Sequence, residues 1–321
     1  MNPSASNIKL WSKFGPRAVY GMAMHNLAKD KPNLVAISGD LGNSSGLDRF
    51  KRDYPDQYLN AGIAEQNMIG FAAGVSRNFY NVFVSSFAPF LTMRAAEQVR
   101  MNLGYMSANV KLVGIGSGLS MGILGNSHYG LEDISIMRAI PGLAIVSPAD
   151  CFELVKVVEF ASEYTGPMYI RLTGAPDNPI VYNEDYGFDF GKAVWLKEGC
   201  DICLIATGSM VAHSMVAANL ISQCGISCSV VNMHTISPID SEALDKAFDN
   251  HSLVVTIEEH FLSGGLGTLV AEYRAIKNIS CKHSLIGLPN CYGVTAEYDY
   301  LLNYYGLVGS QIAEKIKSIF V

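Results

Sequence analysis

Along almost the whole chain, short apolar runs alternate with segments in which apolar residues recur every three or four positions. Runs such as "NLVAISGD", "NVFVSSF", "NVKLVGIG" and "LAIVSPAD" have the length of buried strands, and the segments between them carry the period of helices. Two parallel strands need a crossover of a dozen or more residues, usually helical. The alternation therefore predicts βαβ units and an α/β fold in which mainly parallel sheets are flanked by helices. A chain of 321 residues exceeds what a single core ordinarily supports. The stretch "GAPDNPIVYNEDYGFDFG" is rich in Pro, Asn, Asp and Gly, lacks helical periodicity, and divides the chain. The expected organisation is a first domain over 1–178, a linker over 179–191 and a smaller α/β domain over 192–321. Strands of the second domain come from "DICLIATG", "ISCSVVNMHTISPID", "SLVVTIEEHF" and "KHSLIGLP".

Hydrophobic residues make up 49% of the chain and charged ones only 16%, which leaves apolar surface for a subunit interface as well as a core. The net charge of -6 and the absence of a Lys/Arg-rich stripe argue against nucleic acid as a partner. No stretch reaches the ~18 uninterrupted apolar residues of a membrane span. The opening "MNPSASNIKLWSKFG" lacks the apolar centre of a signal peptide, so a cytoplasmic protein is expected. Cys200, Cys203, Cys224 and Cys228 have a spacing that can hold zinc, but Cys203 and Cys228 fall inside strand-like runs; reduced core cysteines are the expectation, and no metal ligands are assigned.

One acid stands out. In "YLNAGIAEQNMIGFAAGV" (Tyr58 to Val75), Glu65 lies between an apolar run and a helix of small residues. A Glu in the first turn of a helix is explained by the helix dipole alone. Here Ile63 and the apolar helix predict a dry setting, where an unpaired carboxylate is costly. Gly70, Ala72, Ala73 and Gly74 predict close packing of another backbone on that helix.

This run, followed by "SSFAPFLTMRAAEQVR", "GNSHYGLEDISIMRAIPGLAIVSPAD" and "GPMYIRLTG", resembles the pyrimidine-binding domain of transketolase-like thiamine diphosphate enzymes. "CLIATGS", "VVNMHTISPID" and "VVTIEEHFLSGGLG" resemble the transketolase C-terminal domain, so the resemblance covers nearly the whole chain. It implies that Glu65 bonds a ring nitrogen of the cofactor's aminopyrimidine and favours the imino tautomer, whose nitrogen deprotonates the thiazolium carbon. With Ile63, the aromatic side chains of Phe87 and Phe90 would pack around that ring. His128 would lie over the cofactor and meet the oxygens of a bound sugar. Arg17, Ser44 and Arg171 match positions that hold a substrate phosphate, for which guanidinium forks and a hydroxyl are suited. The activity implied is transfer of a two-carbon ketol unit from a ketose to an aldose.

Two departures from the family pattern carry information. No segment supplies the Gly-Asp-Gly and Asn that hold Mg²⁺ and the diphosphate, since Gly39 and Asp40 are followed by Leu41. The chain therefore resembles one half of a split transketolase. Thiamine diphosphate and Mg²⁺ would be completed by a separate diphosphate-binding N-terminal subunit, with two copies of each chain and small-molecule sugar substrates. Secondly, "ILGNSH" places Ile123 and Leu124 where an acidic pair is usual, and Gly116 stands in place of a phosphate-contacting histidine. A donor other than the usual pentose phosphate is expected. Two other readings stay open: a decarboxylating synthase or 2-oxo-acid dehydrogenase small subunit using the same cofactor, and a noncatalytic stabilising subunit. "SGGLG" (Ser263 to Gly267) is read as a turn at a helix start, and "EEH" (Glu258 to His260) as structural.

Overall fold

The computed structural model describes Met1 and residues 3–320. Six strands form in the first part of the chain: β1 (Leu34–Ser38), β2 (Tyr58–Asn60), β3 (Asn81–Phe87), β4 (Val110–Ile115), β5 (Ala144–Val146) and β6 (Met168–Arg171). Six more follow: β7 (Val194–Lys197), β8 (Ile202–Ala206), β9 (Cys228–Asn232), β10 (Thr235–Ser237), β11 (Leu253–Phe261) and β12 (Lys282–Leu288). All residues of β1, β3, β4, β8, β9 and β11 are buried, as continuous apolar runs require when helices cover both faces of a parallel sheet.

The strands build two sheets, in the orders β10-β5-β6-β4-β3-β1-β2 and β12-β11-β8-β9-β7. Each is parallel except at one edge, where β10 runs antiparallel to β5 and β7 antiparallel to β9. The run "ISCSVVNMHTISPID", expected to serve the second domain alone, is divided between the sheets: β9 joins the second, and β10 crosses to cap the first. The two domains are thus tied by a shared strand as well as by the linker.

No strand or helix forms between β6 and β7, as the Pro- and Gly-rich composition predicts. That segment is nonetheless pinned. Asp150 accepts hydrogen bonds from the backbone N–H groups of Val181 (2.8 Å) and Tyr182 (3.0 Å). Glu153, fully buried, accepts from Tyr186 Oη at 2.6 Å and from Asn232 Nδ2 of β9 at 2.9 Å. Burial pushes the Asp150 carboxyl up to about 6 and the Glu153 carboxyl upward too. The long helix Ala5–Ala28, kinked at Gly15 and Pro16, closes this side by packing Trp11 against Phe152 with ring centroids 6.1 Å apart.

Cys203 and Cys228 are buried in β8 and β9, whereas Cys200 and Cys224 are exposed, so the core assignment holds for one pair and is corrected for the other. Cys200 precedes β8 in a turn and Cys224 follows the helix Met210–Ser222, outside the apolar runs. All seven cysteines are free. No helix among the described residues is long and apolar enough to cross a membrane.

Candidate active site

Glu65 opens the helix Glu65–Ser76 directly after β2, where unpaired N–H groups and the helix dipole favour an anion. The preceding turn is shaped by Asn60, whose Oδ1 accepts from the N–H groups of Asp40 and Gly62, each at 3.0 Å. Glu65 is 4% exposed and is not unpaired: Arg94 Nη1 lies 2.9 Å from its Oε2. Arg94 ends a π-helical stretch, Phe90–Arg94, whose wide turn brings the guanidinium back over the Phe90 ring at 3.9 Å. Gln66 fixes the same stretch by donating to the Arg94 carbonyl at 3.2 Å. Sequence reasoning assigned Arg94 no role; the available signal was its place four residues beyond Phe90 in "SSFAPFLTMR".

Phe87 ends β3, and His128 ends the short turn Gly122–Ser127. The His128 ring stands edge-on to both phenylalanines, with centroids 5.2 Å from Phe87 and 5.3 Å from Phe90, while the two phenylalanines are 5.7 Å apart. Burial, and then the nearby Arg94 charge, lowers the His128 pKa, so the ring is neutral near pH 7 and has a donor and an acceptor nitrogen. Ser127 Oγ lies 3.0 Å from its Nδ1. Glu65, Arg94, Phe90, Phe87 and His128 thus form one continuous cluster.

Arg17 and Ser44 come together in a neighbouring cavity of about 270 Å³, lined also by Asn43, Ser120, Met121 and Gly116. Gly116 has φ +66°, and an added Cβ there would collide with the Met121 thioether while lying 3.8 Å from the Phe87 ring. The space of a side chain at 116 is therefore filled by Met121, which separates the aromatic cluster from the Arg17 end. Ile123 and Leu124 are 66% and 44% exposed in the turn before His128.

Two expected site residues lie elsewhere. Arg171 is fully buried, with Nε 2.8 Å from Asp133 Oδ2 and Nη2 donating to the carbonyls of Gly130 (3.1 Å) and Glu259 (2.8 Å). Its Nε and Nη2 are engaged at the domain junction, its Nη1 is buried without a hydrogen-bond partner among the described residues, and it does not line the cavity, so its assignment to a substrate phosphate is corrected. Ile63 is 78% exposed and does not enclose Glu65; burial of the acid comes from its helix and from the Arg94 pair.

"EEH" is structural, as expected, but it holds the domains together. Glu259 accepts from the Leu119 N–H at 2.5 Å, Ser209 Oγ at 2.5 Å and Tyr298 Oη at 2.8 Å. Glu258 accepts from the N–H groups of Leu266 and Gly267, each at 2.7 Å, so the helix start at "SGGLG" already holds an internal carboxylate. Among the described residues, no group of three or more His, Cys, Asp or Glu could hold a metal ion, and Asp40 Oδ1 is engaged by Asn60 Nδ2 at 3.1 Å.

On the helix Glu65–Ser76, Ala72 and Ala73 face inward with Met68 and Ile69. Gly70 and Gly74 face outward beside the 47%-exposed Phe71, and an added Cβ at either glycine would meet nothing within 4 Å. Met93 (55%) and Tyr105 (81%) are exposed on the adjoining helical segment. The close backbone packing predicted for this helix is not supplied by the chain itself at the two glycines.

Residues 13–175 match the family model for the transketolase pyrimidine binding domain, and residues 191–312 match that for the transketolase C-terminal domain. The chain is 40% identical over 304 residues to a putative transketolase C-terminal section from Methanocaldococcus jannaschii, covering 94% of this chain and 95% of that protein. It is 35% identical to one of the subunits of an apulose-4-phosphate transketolase from Phocaeicola vulgatus, over 88% of this chain and 89% of that one. A solved structure described as a split-gene transketolase in an inactive beta4 tetramer superposes with a TM-score of 0.85 at 34% identity, covering 95% of this chain and 97% of that chain.

Proposed function

Because the chain belongs to the transketolase family, as the subunit that carries the pyrimidine-binding and C-terminal domains, we propose that Glu65, Phe87, Phe90 and His128 are its half of a thiamine diphosphate site. The observation that carries this reading is their convergence into one cluster from three separate segments, with Arg94 joining Glu65 to the rings. Thiamine diphosphate, when bound, supplies the thiazolium that makes ketol transfer between sugars feasible. Glu65 offers a carboxylate at a helix start, able to accept or share a proton with a ring nitrogen. Phe87 and Phe90 exclude water and offer flat apolar faces, with Ile63 exposed to close on a cofactor from outside. His128, neutral and half-buried, would donate to or accept from substrate hydroxyls. Arg94 would leave Glu65, or turn over Phe90, as the cofactor enters.

Arg17, with Ser44, Asn43 and Ser120, would bind the far end of the donor, one guanidinium and neutral donors suiting an anionic group. The apolar Ile123 and Leu124 beside His128 support a donor other than the ordinary pentose phosphate, as does a relative named for apulose-4-phosphate.

Mg²⁺ and the diphosphate would be held by a partner subunit; in support, no group of three or more His, Cys, Asp or Glu among the described residues could hold a metal ion, and Asp40 is engaged by Asn60. The outward face of Gly70, Phe71 and Gly74, with Met93 and Tyr105, would dock that partner, in two copies of each chain. The inactive tetramer of a similar chain supports inactivity in the partner's absence. Seven free cysteines suit a reducing, cytoplasmic setting. A calorimetric titration of thiamine diphosphate with Mg²⁺ tests the reading: tight binding is expected only when the diphosphate-binding subunit is present. Tight Mg²⁺-dependent binding by this chain alone would overturn the two-subunit arrangement.

A further inference from the structure

The turn that ends in His128 belongs by sequence to the first domain, yet it is held by the second. Asn126 and Gly293 exchange two hydrogen bonds: Asn126 Nδ2 donates to the Gly293 carbonyl at 2.8 Å, and the Gly293 N–H donates to Asn126 Oδ1 at 3.0 Å. Tyr129 Oη bridges the two segments, 2.8 Å from the Gly122 carbonyl and 3.0 Å from the Val294 carbonyl. Gly125, at φ +69°, lies so close to Thr295 that an added Cβ would stand 2.5 Å from its Oγ1. The ends of the arrangement are fixed by a single carboxylate, since Glu259 accepts both from Leu119, upstream of the turn, and from Tyr298, at the end of the strap. Residues 293–298 thus run alongside 119–129 and are bonded to them at both ends and in the middle.

The consequence for His128 is geometric. Its backbone N–H donates to the Gly125 carbonyl at 2.9 Å, inside the strapped turn, and its ring is placed against Phe87 and Phe90 by where that turn ends. We propose that the second domain sets the position of His128 through residues 293–298, with Asn126 and Tyr129 as the positioning residues. The proposal rests on the reading of His128 as a substrate-facing group, and it gives the C-terminal domain a part in the reaction without contact with substrate.

Asn126 is exposed and Asn126→Ala removes the exchanged pair without opening a core; Tyr129→Phe removes only a hydroxyl and keeps the buried ring. The full-length chain with ¹³C-labelled histidines reports ring position directly, because two phenylalanine rings 5.2 and 5.3 Å away displace the His128 ring resonance by their ring currents. Both variants are expected to move that resonance toward the position of a mobile histidine, with the other six left in place. In the assembled enzyme each should lower kcat/KM about tenfold, the scale of one or two hydrogen bonds. An unmoved His128 resonance in both variants overturns the proposal whatever the activity does. A moved resonance with unchanged kcat/KM overturns instead the reading of His128 on which it rests.

Discussion

Arg94 Nη1 lies 2.9 Å from Glu65 Oε2, joining a side chain that is 47% exposed to one that is 4% exposed. Among the described residues Glu65 makes no other ion pair, whereas the half-exposed Arg94 also lies over the Phe90 ring at 3.9 Å. In the absence of cofactor the guanidinium thus keeps a buried carboxylate from standing alone, at a position where a charged group without a partner is costly.

Glu65→Gln keeps the shape and removes the charge. In the assembled enzyme kcat is expected to fall by about 10²- to 10⁴-fold, the usual range for a lost acid–base group, while the thermal unfolding of the chain changes little. Steady-state kinetics beside a circular dichroism melt separates the two. Activity within twofold of the parent would leave Glu65 as a helix-start residue only, and the chain as a stabilising subunit.

Arg171 makes the opposite case, an arginine whose role is to hold the fold. With both Arg171 and Asp133 fully buried, Arg171→Met removes the countercharge of the Asp133 carboxylate, leaving it the Tyr169 hydroxyl and the Ile134 N–H, and takes a donor from the carbonyls of Gly130 and Glu259. Such one-sided removal costs about 3–5 kcal/mol, so the urea midpoint should drop well before any effect on substrate affinity is measurable. A normal midpoint with a raised KM for phosphorylated donors would return Arg171 to the substrate.

Glu258 provides a pH signature. Burial raises its carboxyl from 4.5 to about 7 despite two N–H donors that oppose the shift. A carboxyl with a higher pKa folded than unfolded binds more protons in the native state. Its contribution is therefore fully present below about pH 4.5 and declines as the pH rises through about 7. The stability difference between the parent and Glu258→Gln, read from denaturant curves at pH 4.5, 6 and 7.5, should shift toward the variant as pH rises. Equal slopes for the two proteins would show that Glu258 does not titrate in this window.

Much of this arrangement was legible from sequence, for physical reasons. Fully buried parallel strands must be apolar throughout, so β1, β3, β4, β8 and β11 announce themselves; Phe87 ends one such run, while Glu65 and His128 lie in the connections that follow β2 and β4, where α/β folds place their sites. Distance-dependent facts were not legible. "YIRLTG" does not disclose that the arginine of β6 meets Asp133 rather than the cavity, because the partner lies 38 residues away and is chosen by the packing of the first domain, with the Glu259 carbonyl of the second added to it. The apolar character of Ile63 gave the wrong sign for its exposure, since a surface kept for a partner has the composition of a core. The crossing of β10 to the first sheet was hidden for a similar reason: β9 and β10 are separated by only two residues and look alike in pattern.

The exposed pair Ile123 and Leu124 offers the most direct test of donor choice. They stand in the turn that ends at His128, where the resemblance places an acidic pair bonding a sugar hydroxyl, and neither is buried, so replacing them should alter stability by no more than about 0.5 kcal/mol. An acid supplied there would give a hydroxylated donor a hydrogen-bond partner that the present turn lacks, and would do nothing for a donor without that hydroxyl. Ile123→Glu with Leu124→Asp is therefore expected to raise kcat/KM for a pentose phosphate about tenfold relative to a deoxy analogue of the same length, measured in the assembled enzyme. Parallel changes for both donors would mean that the turn governs access and not recognition. Donor choice would then have to be sought at Gly116 and Met121, where the same cavity meets the aromatic cluster.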